Sequence, residues 1–498
     1  GEIMITVGEL QKGTIRHHVG TDSPLYLENY YWSDDAPSKN GLNANTNYDD
    51  ENRIDSPVKL YEAVPDSLKE NTVILLIAER SLNNTDAIRE WIKRNVELCN
   101  ENQVPCAVQI ANGETNVNNT IPLSFWNELA RDNEYLYGFN AAEMYNRFAG
   151  DNREYVMDVI RVGIPYGVTM MWTDTNIFGK NGVIYDWLTQ DDQLANLMRD
   201  NKEYISLMTK ESYGGQAANT DALFMGMWLT EYCSNWGIAS DWWHWQLDGN
   251  GALFDGSGGD AWKQCLTWPE NMYTQDVVMA ASQGATCFKS EAQWYSNATK
   301  GMRTPTYQYS MIPFLEKLVN GEVKIPTREE VLARTKAIVV GAENWNNFNY
   351  DTAYSNLYPK TGQYGIVPFV PSSCPEEELD RYELVVRENY GKDGLKKLLD
   401  TVYPVQKSEG SAYMETFGDT WYWMNSSEDK DVKQYTEFTT AINGSDRVRI
   451  EGEPHVFGII KESPDALNVY LSNYRLDKTE LWDGTYPGGF SDQSCYNY

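Results

Sequence analysis

Over the first two-thirds of the chain, short continuous apolar runs alternate with stretches in which apolar residues recur every three or four positions. That alternation is the mark of β-strands followed by amphipathic helices, and so of a parallel sheet with helices packed on it. The predicted strands are PLYLEN from Pro24, TVILLIAE from Thr72, VPCAVQI from Val104 and YLYGFN from Tyr135. They continue with VTMMW from Val168, YISLMT from Tyr204, WGIASD from Trp236 and ATCFKS from Ala285.

Between the second and third runs, Ile88, Trp91, Ile92, Val96 and Cys99 fall on one helical face, with Thr85 and Asp86 as capping oxygens. Between the fourth and fifth, Val156, Val159, Ile160 and Val162 repeat the pattern before Gly163 and Pro165 close it. A last helix near Met311 to Val319 stops at Asn320-Gly321. Eight such units predict a closed (β/α)8 TIM-type barrel. The alternative, a doubly wound open sheet, lacks its glycine-rich phosphate loop after the first strand.

Beyond Lys336 the pattern changes to short runs punctuated by Gly, Pro, Asn and Asp: IVVGAE, YGIVPFVP, TWYWMN, RVRIEGEPHVFGIIKE and LNVYLSNYR. These predict a C-terminal β-sandwich domain, interrupted by a helix around Glu376 to Leu399. The expected organisation is an N-terminal arm over 1–22, a catalytic barrel over 23–336 and a β-rich domain over 337–498, packed together.

Composition narrows the chemistry. With 72 Asp and Glu against 41 Lys and Arg, the 498-residue chain carries a formal charge of −31, which disfavours nucleic acid and anionic lipid as partners. No apolar run approaches the roughly 18 to 20 residues that cross a bilayer, so membrane insertion is not expected. The start at Gly1 shows no signal peptide and reads as a mature or trimmed end of a secreted or cell-surface protein. The seven cysteines form no CxxC pair and the four histidines no HExxH, so neither metal, cofactor nor disulfide framework is expected. Asp248 to Asp260 superficially suggests a calcium loop, but Ala252 stands at its fifth position and the glycine is displaced.

In a barrel, function collects at the carboxyl ends of the strands. Acids crowd there: Glu28, Glu79, Glu114, Glu143, Glu211, Asp241 and Glu291. Hydrolysis of a glycosidic bond needs a protonated carboxyl to serve the leaving oxygen and an ionised one to activate water. Glu143, among Ala141, Ala142, Met144 and Tyr145, loses solvation when ionised and suits the acid. Asp241 precedes Trp242, Trp243, His244 and Trp245, and Glu291 precedes Trp294; on neighbouring strands the two acids could hold one water between them. For Glu28, Glu79 and Glu114 a helix-terminal or surface role is the simpler expectation.

The 17 Trp and 33 Tyr add flat faces suited to sugar rings. Tyr30, Tyr31 and Trp32, with Trp172, Trp242, Trp243 and Trp294, are the candidates for substrate contact, core packing being the alternative for each.

From about Ser23 to Lys461 the chain resembles glycoside hydrolase family 98. The segments that carry the likeness are SPLYLENYYW, YLYGFNAAEMY, YGVTMMWTD, EYCSNWGIASD, CFKSEAQWY and VNGEVKIPTREEVLARTK, with FGIIKESPDALNVYLSNY in the β module. The resemblance implies inverting hydrolysis, with Glu143 as general acid and Asp241 and Glu291 as the pair that positions and deprotonates water. The chain departs from the family's host-glycan enzymes in two places. Met144, Tyr145 and Asn146 replace a Gln-Phe-Trp-type run, and Lys289 and Ser290 replace Gly-Pro before the last-strand Glu. These departures favour, narrowly, endo-β-1,4-xylanase action on substituted xylan over endo-β-1,4-galactosidase action on blood-group A or B glycans. A carbohydrate-binding barrel without catalysis is the alternative from another class. An oligosaccharide or polysaccharide is the expected partner, and no protein partner is implied.

Overall fold

A computed structural model describes residues 10–31, 54–78, 85–112, 121–142, 153–174, 188, 192–211, 217–240, 277–278, 280–290, 307–335, 337–340, 368–387, 414–417, 420–423, 456–462 and 467–473. All eight predicted barrel strands are present. They are β1 (Leu25–Tyr31), β2 (Thr72–Ile77), β3 (Cys106–Asn112), β4 (Leu136–Ala142), β5 (Thr169–Asp174), β6 (Ile205–Glu211), β7 (Asn235–Ser240) and β8 (Cys287–Ser290). Each pairs in parallel with the next, and β8 returns to β1 through Leu25 opposite Cys287, Tyr26 opposite Phe288 and Leu27 opposite Lys289. The ring is closed.

Two separate cores explain why the strands read as unbroken apolar runs. Leu25, Leu27, Val73, Leu75, Ala107, Met171, Met208, Ala239 and Cys287 fill the barrel interior. The alternate residues, among them Tyr26, Ile74, Val108, Phe139, Trp172, Leu207, Trp236 and Phe288, meet the surrounding helices in a second, larger cluster. Burying each large side chain contributes on the order of 1.5–3 kcal/mol, so filling both faces is the main source of the barrel's stability.

The helices follow the sequence pattern. On α1 (Pro57–Ala63), Ser56 caps the first turn by accepting from the Lys59 amide. On α2 (Thr85–Glu101), Trp91, Ile92, Val96 and Cys99 are buried against the strands. The next pair, α3 (Leu123–Asp132) and α4 (Arg153–Gly163), is locked by a buried relay. Trp126 Nε1 donates to the Tyr155 hydroxyl at 2.6 Å, which donates to the Ile121 carbonyl at 2.8 Å. Two more helices, α5 (Asp192–Asp200) and α6 (Ala217–Leu229), precede β6 and β7, and α7 (Ile312–Val319) packs its Phe314 edge-on against Phe288 of β8.

The described part of the N-terminal arm crosses the amino end of the ring. The Arg16 guanidinium takes the carbonyls of Ala130 at 2.7 Å, Asn133 at 2.7 Å and Leu136 at 3.0 Å, which satisfies the exposed end of α3. Gly13 N donates to the Ile164 carbonyl and Asn235 Nδ2 to the Val19 carbonyl. The arm therefore ties the strand starts together, opposite the rim where chemistry is expected.

In the last third the described residues form small sheets. After α8 (Arg328–Arg334), β9 (Ala337–Val340), β10 (Phe369–Val370) and β11 (Leu384–Val386) form a small parallel sheet in the order β10, β9, β11. The helix expected from Glu376 to Leu399 is, where described, the single turn α9 (Glu376–Leu379), and β11 follows it within the same stretch. The physical reason lies in Leu384, Val385 and Val386, an apolar run with two β-branched valines that pairs with β9.

This sheet shares the barrel's outer core. Ile338, Val340, Phe369 and Val370 are buried in it, and α6 approaches β10 so closely that a Cβ on Gly226 would lie 1.7 Å from the Phe369 carbonyl oxygen. Arg328 extends the junction by donating to the carbonyls of Trp228 and Leu229 and pairing with Glu231 at 3.2 Å. Two antiparallel pairs complete the described chain, β12 (Met414–Phe417) with β13 (Thr420–Trp423) and β14 (Val456–Glu462) with β15 (Leu467–Asn473).

Candidate active site

Because the eight strands run in parallel, their carboxyl ends share one rim of the ring. Three of those ends matter most. β4 finishes at Ala142, β7 at Ser240 and β8 at Ser290, and the next residues in sequence are Glu143, Asp241 and Glu291. The three acids themselves lie outside the described residues, as do Trp32, Trp242, Trp243 and Trp294. So do Glu79, Glu114 and the Asp248 to Asp260 loop.

The strand ends nevertheless fix the relation between the acids' attachment points. Ser240 and Ser290 are register partners, so β7 and β8 deliver neighbouring positions. β4 stands four strands from β8 in either direction round the ring, directly across the mouth. One attachment point thus faces a close pair.

Beneath the rim the barrel interior turns polar. Asn140 on β4 donates from Nδ2 to the Met171 carbonyl at 2.5 Å and to Thr173 Oγ1 at 3.0 Å, stitching β4 to β5. Its Oδ1 has no partner among the described residues. Asn29 on β1 donates to the Tyr31 hydroxyl at 3.2 Å, and Tyr31 packs on the interior cluster. Lys289 on β8 is 4% exposed, flanked in register by Leu27 and Ala239, both interior residues. Of these, Tyr31 is among the candidate sugar contacts and Lys289 is noted only as a departure from the family pattern, whereas Asn29 and Asn140 were not singled out from sequence. The available signal was a lone polar side chain inside an apolar strand.

Three sequence expectations need correcting. Tyr30 is 4% exposed and stacks on Trp91 of α2, with ring centroids 6.1 Å apart. Trp172 is fully buried in the layer between strands and helices, one position from the interior residue Met171. Both rings face the helices and are core, so neither floors a sugar subsite. Tyr31 is half-buried on the opposite face of β1 and remains a candidate.

Glu28 also lies elsewhere than expected. It sits midway along β1 opposite Ile74, an outer-core residue, and accepts a hydrogen bond from Tyr26 two residues earlier. Burial pushes its carboxyl from 4.5 up to about 8, against the opposing pull of the Tyr26 hydroxyl. The folded protein therefore holds this proton at neutral pH, whereas the unfolded chain releases it near 4.5. The stability linked to it is full below pH 4.5 and is lost as pH rises to about 8. Glu28→Gln removes the titration. The melting temperature of wild type is expected to fall between pH 5 and pH 8 relative to that variant, by the equivalent of up to a few kcal/mol. Parallel melting curves across that range would expose the idea as wrong.

Among the described residues, no three His, Cys, Asp or Glu side chains gather as metal ligands, and no helix is long and apolar enough to cross a membrane. Cys99, Cys106, Cys233, Cys287 and Cys374 are free and buried. Burial pushes the Cys287 thiol up to about 12, so it behaves as a small core residue rather than a nucleophile.

A closed ring of eight parallel strands with helices packed outside it defines the class of (β/α)8 barrels. Residues 13–325 match glycosyl hydrolase family 98 and residues 328–498 match the glycosyl hydrolase family 98 C-terminal domain; the chain belongs to that family. It is similar to a blood-group-substance endo-1,4-beta-galactosidase of Clostridium perfringens, 24% identical over 479 residues and 86% of this chain. The chain spans 57% of that relative's length.

Among solved structures, the catalytic module of a family 98 glycoside hydrolase from Streptococcus pneumoniae in its native form has a TM-score of 0.65 at 22% identity. That match covers 94% of this chain and 83% of the module. The same module in complex with the LewisY pentasaccharide blood group antigen gives 0.65 and 22%, over 94% and 84%. These structures share the fold.

Proposed function

We propose that this chain is an inverting endo-β-1,4-glycosidase that cuts inside a branched glycan, with blood-group-type β-1,4-galactosides as its substrate class. The observation that carries the reading is the facing arrangement of strand ends: β4, leading into Glu143, opposes the register-paired β7 and β8, leading into Asp241 and Glu291. Inversion calls for about 6.5 to 9.5 Å between acid and base, so that a water fits on the far side of the sugar. Attachment across the mouth supports that spacing better than attachment on neighbouring strands.

In this reading Glu143 protonates the departing oxygen while Asp241 and Glu291 hold and deprotonate the attacking water. Tyr31, Trp32, Trp242, Trp243 and Trp294 remain the proposed sugar contacts. The substrate class rests on likeness. The Clostridium perfringens relative is named for blood-group substance, and the Streptococcus pneumoniae module is solved with blood group antigens. Nothing comparable supports the xylan preference drawn from the departures near the acids, and it gives way. Such a substrate lies outside cells, which favours a secreted or surface-held protein.

Product analysis on two panels, blood-group A, B and H glycans against substituted xylans, tests the proposal. Release of an internal oligosaccharide from a blood-group glycan, with the first anomer seen by proton NMR inverted to α, is the expected result. Cleavage of xylan alone would restore the other substrate class, and a β-anomer would overturn the single-displacement mechanism.

A further inference from the structure

We propose that Gln109 and Asn140 form a hydroxyl-binding pair in the floor of the barrel mouth, and that the group they take is the primary hydroxyl of a hexose; this rests on the glycosidase reading above. The two residues are register partners on β3 and β4. Both face the interior. Gln109 follows the phase of Ala107, an interior residue, and Asn140 lies between Phe139 and Ala141, which belong to the outer core.

Their hydrogen-bonding capacity is spent unequally. Asn140 Nδ2 gives both its hydrogens to β5, one to the Met171 carbonyl at 2.5 Å and one to Thr173 Oγ1 at 3.0 Å. Those bonds fix the planar amide and turn its Oδ1 away from β5. Asn140 is 0% exposed, and this oxygen has no donor among the described residues. A buried carbonyl oxygen without a donor is destabilising, so one kept in a native barrel points to a ligand that supplies the hydrogen. Gln109 stands beside it, half-buried, and its amide has no partner among the described residues.

An unused acceptor next to an unused amide donor is the complement of a hydroxyl, which donates one hydrogen and accepts another. Depth selects which hydroxyl. Asn140 lies two residues before the end of β4, about 7 Å below the rim. The interior residue above it on that strand is Ala142, whose single methyl leaves room on that wall. A ring hydroxyl is held at a fixed height on the sugar. A hydroxymethyl oxygen stands one bond further out and turns about that bond, so it is the group of a hexopyranose suited to reach the floor. Xylose carries no such group, and the pair therefore gives a physical reason for choosing hexosides over xylan.

Calorimetric titration of the full chain tests the pair, in a Glu143→Gln background so that the glycan stays intact. The ligands are a blood-group A oligosaccharide and its 6-deoxy analogues at either ring flanking the scissile bond. The parent oligosaccharide should bind about tenfold or more tighter than one of the two analogues. Gln109→Met breaks no bond among the described residues and should melt like its parent protein. It should lose about tenfold in affinity for the oligosaccharide and less than about twofold for that analogue. Asn140→Ala forfeits two bonds to β5 and should melt lower while showing the same loss of preference; if it does not fold, Gln109→Met decides alone.

Equal affinity for the oligosaccharide and both analogues would overturn the assignment, as would a Gln109→Met variant that keeps the full preference. Turnover by the wild-type chain separates this pair from the reading beneath it. Binding with the expected preference but no cleavage removes the glycosidase reading and leaves the pair. Cleavage without the preference removes the pair alone, and a glycan neither bound nor cut removes both.

Discussion

Glu143→Gln, Asp241→Asn and Glu291→Gln are each expected to lower kcat on the cleaved glycan by a hundredfold or more, with KM little changed. The amides keep the size of the side chains and remove only the proton chemistry. General acid or base catalysis contributes typically 10²–10⁴-fold, or about 3 to 5 kcal/mol of transition-state stabilisation. Two roles can be separated within the set. A substrate with an aryl leaving group of low pKa needs no proton, so Glu143→Gln should recover most of its rate on it, whereas Asp241→Asn and Glu291→Gln should not. Full turnover by all three variants on the natural substrate would remove the assignment.

The barrel was legible in the sequence because its strands are buried on both faces. All eight apolar runs became strands, with ends moved by a few residues, and the helix beginning at Thr85 formed as its periodicity required. That same double burial hid which face each residue occupies. A half-exposed strand announces its phase through polar alternation, but in LYLENYY or TMMWTD both faces are apolar enough to be inside. Tyr30 and Trp172 were therefore read as mouth residues when they are packing against helices, and Glu28 was read as a strand-end acid when β1 runs on to Tyr31. Lys289 suffered the opposite error. It drew notice only as a departure from the family pattern, because burial of its charge is a property of the closed ring and of no local stretch. In the last third, Leu384 to Val386 fell inside a predicted helix because a short apolar run has no period of its own.

Gly237→Ala is expected to be the most damaging single-methyl change in the barrel interior. A Cβ at this position would stand 1.8 Å from the Cys287 carbonyl oxygen and 2.5 Å from its carbon, both backbone atoms that cannot rotate away. Relief requires prising β7 from β8, and overpacking of this kind costs about 3 kcal/mol, enough to lower the melting temperature by several degrees. The damage should reach the chemistry as well. The register that starts at Gly237 and Cys287 ends three steps later at Ser240 and Ser290, the last residues before Asp241 and Glu291. A shift of about 1 Å in that pair can cost a hundredfold in rate. Gly321→Ala provides the contrast. That glycine has a φ of +79° with nothing within 4 Å, so its replacement strains the turn after α7 by about 1 to 2 kcal/mol but touches no strand. Both variants should melt early, and only Gly237→Ala should also lose kcat. Equal kcat in the two would mean that the separation of β7 and β8 does not control the mouth.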